Sequence, residues 1–111
     1  MRLHIENKKM LDQVDFSSNQ ETTSDFIGDA LAFSFQFIWS GATGASGDLV
    51  VYGSIDNQTF VPLDSYTISG ESDGSRLVNV ERAGYSYTKA SWAPSGGTGG
   101  SLTIWLSSKN Q

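Results

Sequence analysis

The side chains that could do acid–base chemistry are one histidine, His4, and twelve carboxylates, and the chain holds no cysteine. A nucleophilic triad needs a histidine held rigidly beside a nucleophile and an orienting acid. His4 stands near the first residue of the sequence, where such support is poor, so we interpret it as a surface or edge-strand residue. The lack of cysteine excludes disulfides and thiolate metal sites. We therefore expect no catalytic residue, no metal and no cofactor.

The carboxylates are scattered, and some of their settings resemble cation sites in composition only. Residues 69–75 (SGESDGS) lack the alternating ligands and distal glutamate of a calcium loop. Asp56 with Asn57, and the turn at Asp29, could serve a sandwich-type calcium site, but turn formation is the simpler interpretation. A small hydrolase would need two carboxylates facing each other across a cleft. The sequence singles out no such pair, so this is the weakest function considered.

Residues 31–39 determine the fold class, because large apolar side chains occupy every second position: Leu31, Phe33, Phe35, Phe37 and Trp39. Successive side chains of a strand point to opposite faces, so these groups share one face, which must lie against a core. The other face is partly apolar too, with Ala32 and Ile38. We expect the N-terminal arm or a neighbouring subunit to cover part of it.

Alternation and turn residues divide the rest of the chain into further short segments. We predict a first strand or arm over residues 2–5 and strands over 9–16, 48–55, 59–63, 76–80, 85–92 and 101–108. Residues 48–63 form one hairpin, with Pro62 at an edge, and residues 85–108 form the last hairpin. The glycine-rich segments 40–47 and 94–100 are expected to be flexible loops, and the polar segment 17–24 is expected to be a loop or an exposed edge. Residues 65–75 form a second polar segment, with Gly70 and Gly74.

No window shows a helical apolar repeat, so an all-β protein is expected. The pattern predicts an antiparallel β-sandwich or jelly roll of about seven to eight strands. Residues 1–16 form the N-terminal arm or first strands, and residues 17–111 form the sandwich. Together they make a single domain, as suits a chain of 111 residues.

The tryptophans offer surfaces for stacking or burial. Leu102, Ile104 and Leu106 occupy the core face of the last predicted strand, so Trp105 points away from the core. Interfaces are enriched in Trp and Tyr, and our first interpretation of Trp105 is a contact with another subunit. A sugar stacked on the ring and burial beneath a loop are the alternatives.

The net charge of −5 at pH 7 argues against nucleic-acid and anionic-membrane partners. Binding to either requires clustered Lys and Arg, which this chain lacks. Residues 6–9 (ENKK) interrupt any apolar run near the start, so we expect no signal peptide. No stretch approaches the ~20 apolar residues of a membrane helix. We expect a soluble protein that is made in the cytoplasm.

Two segments resemble small phage-encoded proteins. Residues 48–60 (DLVVYGSIDNQTF) are similar to a strand–turn–strand unit of those proteins. Residues 85–109 resemble their ending, in which a Tyr-x-Tyr strand leads through a Ser-Gly-x-Gly loop to a final strand that closes with small residues and Lys109. The resemblance covers roughly the last two-thirds of the chain, and discoidin-like, sugar-binding sandwiches share part of it.

This resemblance implies a non-enzymatic virion protein, either a capsid decoration or cement protein or a head or tail accessory. Such a protein would act by multivalent contacts with other virion subunits, and a homo-oligomer is expected. An arm that pairs with a neighbour's sheet edge would be one such contact. The alternative function is a carbohydrate-binding module that recognises a host or other glycan.

Overall fold

The structure, a computed structural model, describes residues 4–27, 30–81 and 85–110, and every regular element in these ranges is a β-strand. All strand pairs are antiparallel. The strands are β1 (His4–Asp15), β2 (Gln20–Glu21), β3 (Asp25–Phe26), β4 (Ala30–Ser54), β5 (Val61–Glu71), β6 (Gly74–Glu81) and β7 (Tyr87–Asn110). The all-β, antiparallel prediction is confirmed. Within the described ranges, no helix is long and apolar enough to cross a membrane.

The fold is organised by the pairing of β4 with β7, which runs from Ala30 opposite Asn110 to Ser54 opposite Tyr87. A straight strand of 25 residues would be about 80 Å long, at about 3.3 Å per residue. The longest dimension of the molecule is only 46 Å, so this two-stranded ribbon bends. Shifts of register between Thr43 and Gly47 mark the bend.

The bend divides the pairings into two sheets. In the first sheet, β1 and β6 flank the pair made by residues 101–110 of β7 and 30–40 of β4, in the order β1–β7–β4–β6. In the second sheet, β2 and β3 flank residues 87–92 of β7, and β5 flanks residues 45–53 of β4. The two long strands therefore run through both sheets and join them.

One face of each sheet is buried, and the buried side chains form one core. In the first sheet these are Phe33, Phe35, Phe37, Trp39, Leu102, Ile104 and Leu106, and in the second Leu49, Val51, Ala90 and Trp92. The described residues contain no helix that could cover these faces, so the sheets cover each other, as in a β-sandwich. The alternation predicted for residues 33–39 and 102–106 is confirmed. The side chain of Leu31 lies outside the described set.

Phe16, directly after β1, bridges the two sheets. Its ring stacks on Trp92 of the second sheet at 4.5 Å and on Trp39 of the first at 6.0 Å, measured between centroids. The Trp92 Nε1 donates a hydrogen bond of 2.8 Å to the carbonyl of Phe16. The amide of Phe16 donates to the carbonyl of Gly100 at 3.1 Å. These contacts fix the end of β1 at the bend.

The glycine-rich segments 40–47 and 94–100, predicted as loops, are strand segments that pair with each other. Ala42 lies opposite Gly99, and Gly47 lies opposite Pro94. The loop prediction was wrong because glycine here permits two backbones to approach closely through the bend. Residues 85–108 are likewise not a hairpin: they lie on one strand, β7, whose two halves each pair with β4.

The edges of the sheets also differ from the predictions in part. The hairpin over residues 48–63 and the edge position of Pro62 are confirmed. β5 continues to Glu71, so most of the polar segment 65–75 is strand, with both faces of this edge largely exposed. β1 lies beside β7 and does not cover the outer face of β4, where Ile38 is 38% exposed.

We predict that the bend requires glycine at position 97 but not at position 96. Gly97 has a φ of +95°, and a Cβ there would lie 2.6 Å from the Cα of Ala45. Gly97→Ala should therefore lower the free energy of unfolding by about 2 kcal/mol or more, from backbone strain and the displaced neighbour. Urea denaturation monitored by tryptophan fluorescence measures this change.

The matched control is Gly96→Ala, because a Cβ at Gly96 has no neighbour nearer than 4.0 Å. This variant should unfold within about 0.5 kcal/mol of the parent, as surface substitutions usually do. Equal losses in the two variants would contradict a bend that depends on close backbone contact at Gly97.

Candidate functional site

The carboxylates considered as ligands or catalysts are engaged in holding turns and strands. Asp56 Oδ1 accepts hydrogen bonds from Ser54 Oγ at 3.0 Å and from the amides of Gln58 and Thr59 at 2.9 Å. The amide of Thr59, followed by that of Gln58, lowers the pKa of Asp56. Asp56 thus forms the turn indicated by the sequence. Among the described residues, no group of histidines and carboxylates is arranged to hold a metal ion.

Two more acidic residues have comparable local roles. The hydroxyl and amide of Ser17, together with the hydroxyl of Ser18, bond to Asp15 and lower its pKa. Asp73, in the segment weighed as a calcium loop, accepts a bond of 2.9 Å from the amide of Gly41 at the bend. The side chain of His4 and the residue Asp29 lie outside the described set.

Three lysines pair with acidic residues, and two of these pairs join different strands. Lys8 of β1 lies 3.0 Å from Asp25 of β3, and the hydrogen bond between them raises the pKa of Lys8. Lys89 of β7 lies 2.8 Å from Glu21 of β2, and Lys9 lies 3.5 Å from Asp12 within β1. These pairs are exposed or partly exposed, so each contributes little to stability, typically about 0–1 kcal/mol. These ion pairs mainly orient the side chains and strand segments that they join.

Large apolar side chains are exposed at two separate places in the described structure. Phe26, Ile55 and Val61 lie at one end of the second sheet. Ile38 and Leu77 lie on the outer face of the first sheet, which also carries Trp105. Exposed clusters of this kind mark contact or ligand surfaces more often than scattered single residues do. These two surfaces are the candidate sites.

The first surface, the end patch, consists of Ile55, Val61 and Tyr85, and Phe26 is exposed on the opposite edge strand of the same sheet, β3. Strand pairing brings Phe26 opposite Tyr87, and the Tyr87 and Val61 positions flank the end of β4 at Ser54 and Gly53. Ile55 is 73% exposed and Phe26 64% exposed. Ile55, Val61 and Tyr85 line a concavity of about 350 Å³. The end patch is thus an apolar, open surface at the end of the molecule.

Gly53 shapes the end patch from below. A Cβ at this position would lie 2.8 Å from the Tyr85 ring and 2.9 Å from Leu63. The absence of a side chain therefore lets Tyr85 pack against the strand and form one wall of the concavity. The neighbouring carboxylate of Asp56 lies at its rim and is held by the turn.

The second surface, the outer groove, is a cavity of about 260 Å³ that crosses the strands of the first sheet. Antiparallel register places Trp105 between Lys9 and Gln36, and Gln36 beside Leu77. The next row places Ser107 between Asn7 and Ser34, so two small side chains form a floor. The groove is lined by Asn7, Ser34, Gln36, Leu77, Trp105 and Ser107.

Among the described residues that line the outer groove, one is the aromatic Trp105 and none is charged. Trp105 points away from the core, as the sequence predicts, and is half-buried. The amine of Lys9 lies 5.1 Å from the centroid of its ring, which restrains the indole by a cation–π contact. The hydroxyl of Ser34 is hydrogen-bonded to Asn79. By contrast, Trp39 and Trp92 are buried.

Reasoning from sequence identified Trp105 and Ile38 as outward residues but missed most of their neighbours. Ser34, Leu77 and Ser107 are far apart in the chain, and only the register of β6, β4 and β7 brings them together. The sequence did indicate that Gln36 and Ser107 point outward, because each alternates with core-facing residues of its strand. The end patch was missed because Ile55 and Val61 flank a predicted turn, where alternation is broken.

Comparison of sequences yields no matching family model and no matching curated protein. Solved structures do share the fold. SPBc2 prophage-derived protein YomS superposes with a TM-score of 0.70 and 12% identity, over 99% of this chain and 96% of YomS. The VP2 subviral particle of infectious bursal disease virus gives a TM-score of 0.66 and 12% identity, over 99% of this chain and 33% of that one. The PBSX exported protein XepA gives a TM-score of 0.64 and 9% identity, over 92% of this chain and 36% of XepA.

At these identities the likeness establishes the fold, and it confirms the β-sandwich. It also confirms the structural resemblance to small phage-encoded proteins, because YomS matches this chain over almost the whole of both chains. This chain spans about a third of the length of XepA and of the VP2 chain. A capsid protein and prophage proteins therefore share this scaffold.

We predict that the turn at Asp56 makes stability sensitive to acid. A carboxyl whose pKa is lowered by folding stabilises the folded state above its unfolded pKa, ordinarily 3.8, and loses that effect as the pH falls through the lower folded value. Asp56→Asn keeps an acceptor oxygen but no charge. It should be less stable than the parent at about pH 6, and this difference should shrink towards about pH 2.5.

Urea denaturation of both proteins across this pH range provides the test. The same acid-induced losses elsewhere in the chain affect both proteins and cancel in the difference. A difference that stays constant with pH would show that the hydrogen bonds to Asp56 do not depend on its charge.

Proposed function

We propose that this chain is a non-enzymatic structural protein of a phage particle, a capsid decoration or cement protein or a head or tail accessory. It would act by repeated contacts with other virion subunits, including further copies of itself. The observation that carries this proposal is the end patch, where the exposed side chains of Ile55 and Val61, together with Tyr85, line an apolar concavity at one end of the second sheet. Soluble monomers rarely expose such clusters unless they form a contact.

The order of the strands supports a particle protein. Its two sheets, β1–β7–β4–β6 and β2/β3–β7–β4–β5, are joined by the long strands β4 and β7. We propose that this sandwich is of the jelly-roll type. The jelly roll is common in viral capsid and lectin domains. The solved structures that share the fold include a prophage protein of matching extent and a viral capsid protein.

The end patch suits contacts that are weak individually but bind strongly when many copies act together. Its apolar centre, Ile55 and Val61, is rimmed by polar groups such as Thr59 and Asp56. That arrangement of apolar centre and polar rim is typical of protein interfaces. A small contact of this kind gains strength when many copies bind a symmetric lattice, since avidity multiplies individual affinities.

A second candidate function is glycan recognition, and the outer groove favours it. The groove combines the indole of Trp105 with hydroxyl and amide side chains, and none of the described residues in its lining is charged. It lies on the outer face of the first sheet, away from the end patch on the second sheet. A single chain could therefore carry a subunit contact and a ligand site at the same time.

The location in a particle is tested with antibodies raised against the purified chain. Particles are released from the source cells, purified on a density gradient and probed across the gradient fractions. The chain should sediment with the particles at a constant ratio to the major capsid protein. A chain found only in the soluble fractions, as free monomers, would contradict the proposal.

The contact surface is tested by making the end patch polar. The double variant Ile55→Ser/Val61→Ser should keep the fold, since both side chains are exposed. It should bind particles that lack the native chain at least about tenfold more weakly, as expected when central apolar contacts are removed. Co-sedimentation of labelled chain with particles measures the affinity.

The matched control is Leu77→Ser, which removes an exposed apolar side chain, 56% exposed, from the other surface. This variant should bind particles as the parent does. Unchanged binding of the double variant would exclude the end patch as the contact. Equal loss in the control would point to a nonspecific effect of surface polarity.

A further inference from the structure

We propose that the outer groove binds one unit of a neutral saccharide, with the indole of Trp105 as its stacking surface. This assigns a site and a ligand class to the second candidate function and rests on that function. The groove crosses β1, β7, β4 and β6, so four strands supply its lining.

The chemistry of the lining selects the ligand class. Trp105 and Leu77 supply apolar surface, while Ser34, Ser107, Asn7 and Gln36 supply hydroxyls and amides. A sugar ring has the complementary arrangement: C–H groups on its faces and hydroxyls around its rim. Hydroxyl and amide groups can each donate and accept, so they can pair with sugar hydroxyls in either direction. No described lining residue is charged, which favours a neutral ring, and the nearby Lys9 amine, 5.1 Å from the indole centroid, can donate to a sugar hydroxyl.

The floor of the groove disfavours a protein subunit as the occupant. Ser34 and Ser107 lie opposite each other beneath the cavity. An apolar protein surface pressed onto this floor would bury hydroxyl and amide groups without partners, which is costly. A saccharide replaces the displaced water with its own hydroxyls. The apolar end patch lacks such a polar floor and suits a protein contact better.

The ring of Trp105 is held in place before any ligand binds. It stands on β7, in the middle of the first sheet, between Gln36 of β4 and Lys9 of β1. The lysine amine lies 5.1 Å from the ring centroid, so a cation–π contact limits rotation of the indole. Sites built on strands are more rigid than sites on loops, and a fixed stacking surface lowers the entropic cost of binding.

The volume of the groove limits the part of the ligand that it can hold. A cavity of about 260 Å³ lies below the ~300–1,000 Å³ of sites for drug-sized ligands. It therefore accommodates a single sugar ring, with the rest of a glycan outside. Ile38, one row beyond Trp105 on the same face, offers an exposed apolar surface for such an extension.

The outer face of the second sheet contains a similar pair of a lysine and an aromatic ring, and it supplies a matched control. Tyr52 of β4 lies opposite Lys89 of β7, whose amine is 5.4 Å from the ring centroid. Here the same amine also lies 4.5 Å from the ring centroid of Phe60 and 2.8 Å from Glu21. Phe60 and Glu21 thus engage the same lysine as Tyr52, whereas the small residues Ser34 and Ser107 lie in the row next to Trp105 and line the groove.

The test uses the full chain on an array of neutral oligosaccharides built from glucose, galactose, mannose and N-acetylhexosamines. The strongest array ligand is then titrated in solution, with tryptophan fluorescence as the readout. Ligand binding should alter the emission of the half-buried Trp105, since Trp39 and Trp92 are shielded in the core. Trp105→Ala should weaken binding by about tenfold or more, as truncation of a central aromatic contact usually does.

Two further variants separate loss of the site from loss of the fold. Ser107→Leu should block the floor of the groove and weaken binding while the indole remains. Tyr52→Ala should bind like the parent although it removes an outward aromatic side chain of the second sheet. Near-parent unfolding midpoints confirm that each variant is folded.

The outcomes distinguish this inference from the virion proposal. Saccharide binding that is lost in Trp105→Ala and Ser107→Leu but kept in Tyr52→Ala supports the groove, whether or not the chain sediments with particles. Absence of binding by the parent chain to every array sugar overturns the inference and leaves the virion proposal intact. If Trp105→Ala instead abolishes particle binding, the groove is a subunit contact and the inference is also overturned.

Discussion

The apolar face of the ribbon formed by β4 and β7 has to be removed from water, and much of the architecture follows from this requirement. The ribbon bends, so the buried faces of its two halves pack against each other in one core. Phe16 stacks between Trp39 and Trp92 across the two sheets and anchors the end of β1 at the bend. The bend itself depends on small residues, because side chains larger than hydrogen at Gly97 and Gly100 would meet the backbone of β4.

Local pattern was sufficient to predict the elements that face the core. Phe33, Phe35 and Phe37 alternate with polar residues, and their burial follows from the geometry of a strand. The bend was not predictable in this way. Glycine signals a turn when read locally, and the pairing of residues 40–47 with 94–100 depends on contacts between distant segments. The polar run in β5 was missed for a related reason: an edge strand exposed on both faces shows little alternation.

In the candidate sites, too, local alternation predicts the direction of single side chains but not which strands bring them together. The outward direction of Trp105 follows from Leu102, Ile104 and Leu106, which occupy the opposite face of the strand. The groove around it combines positions from four strands, and no local pattern records their register. In the end patch, Ile55 and Val61 flank a turn held by Asp56, and Tyr85, which is distant in the chain, lines the same concavity.

Comparison of the two outer faces shows why an exposed aromatic residue is not by itself a binding site. Both faces carry a lysine amine beside an aromatic ring: Lys9 with Trp105, and Lys89 with Tyr52. On the second sheet, Phe60 and Glu21 also engage the amine. On the first sheet, a row of small polar side chains lies next to the indole and leaves a cavity. Small residues thus have two roles in this fold: glycines at the bend allow the sheets to close over the core, and serines on the outer face keep a groove open beside Trp105.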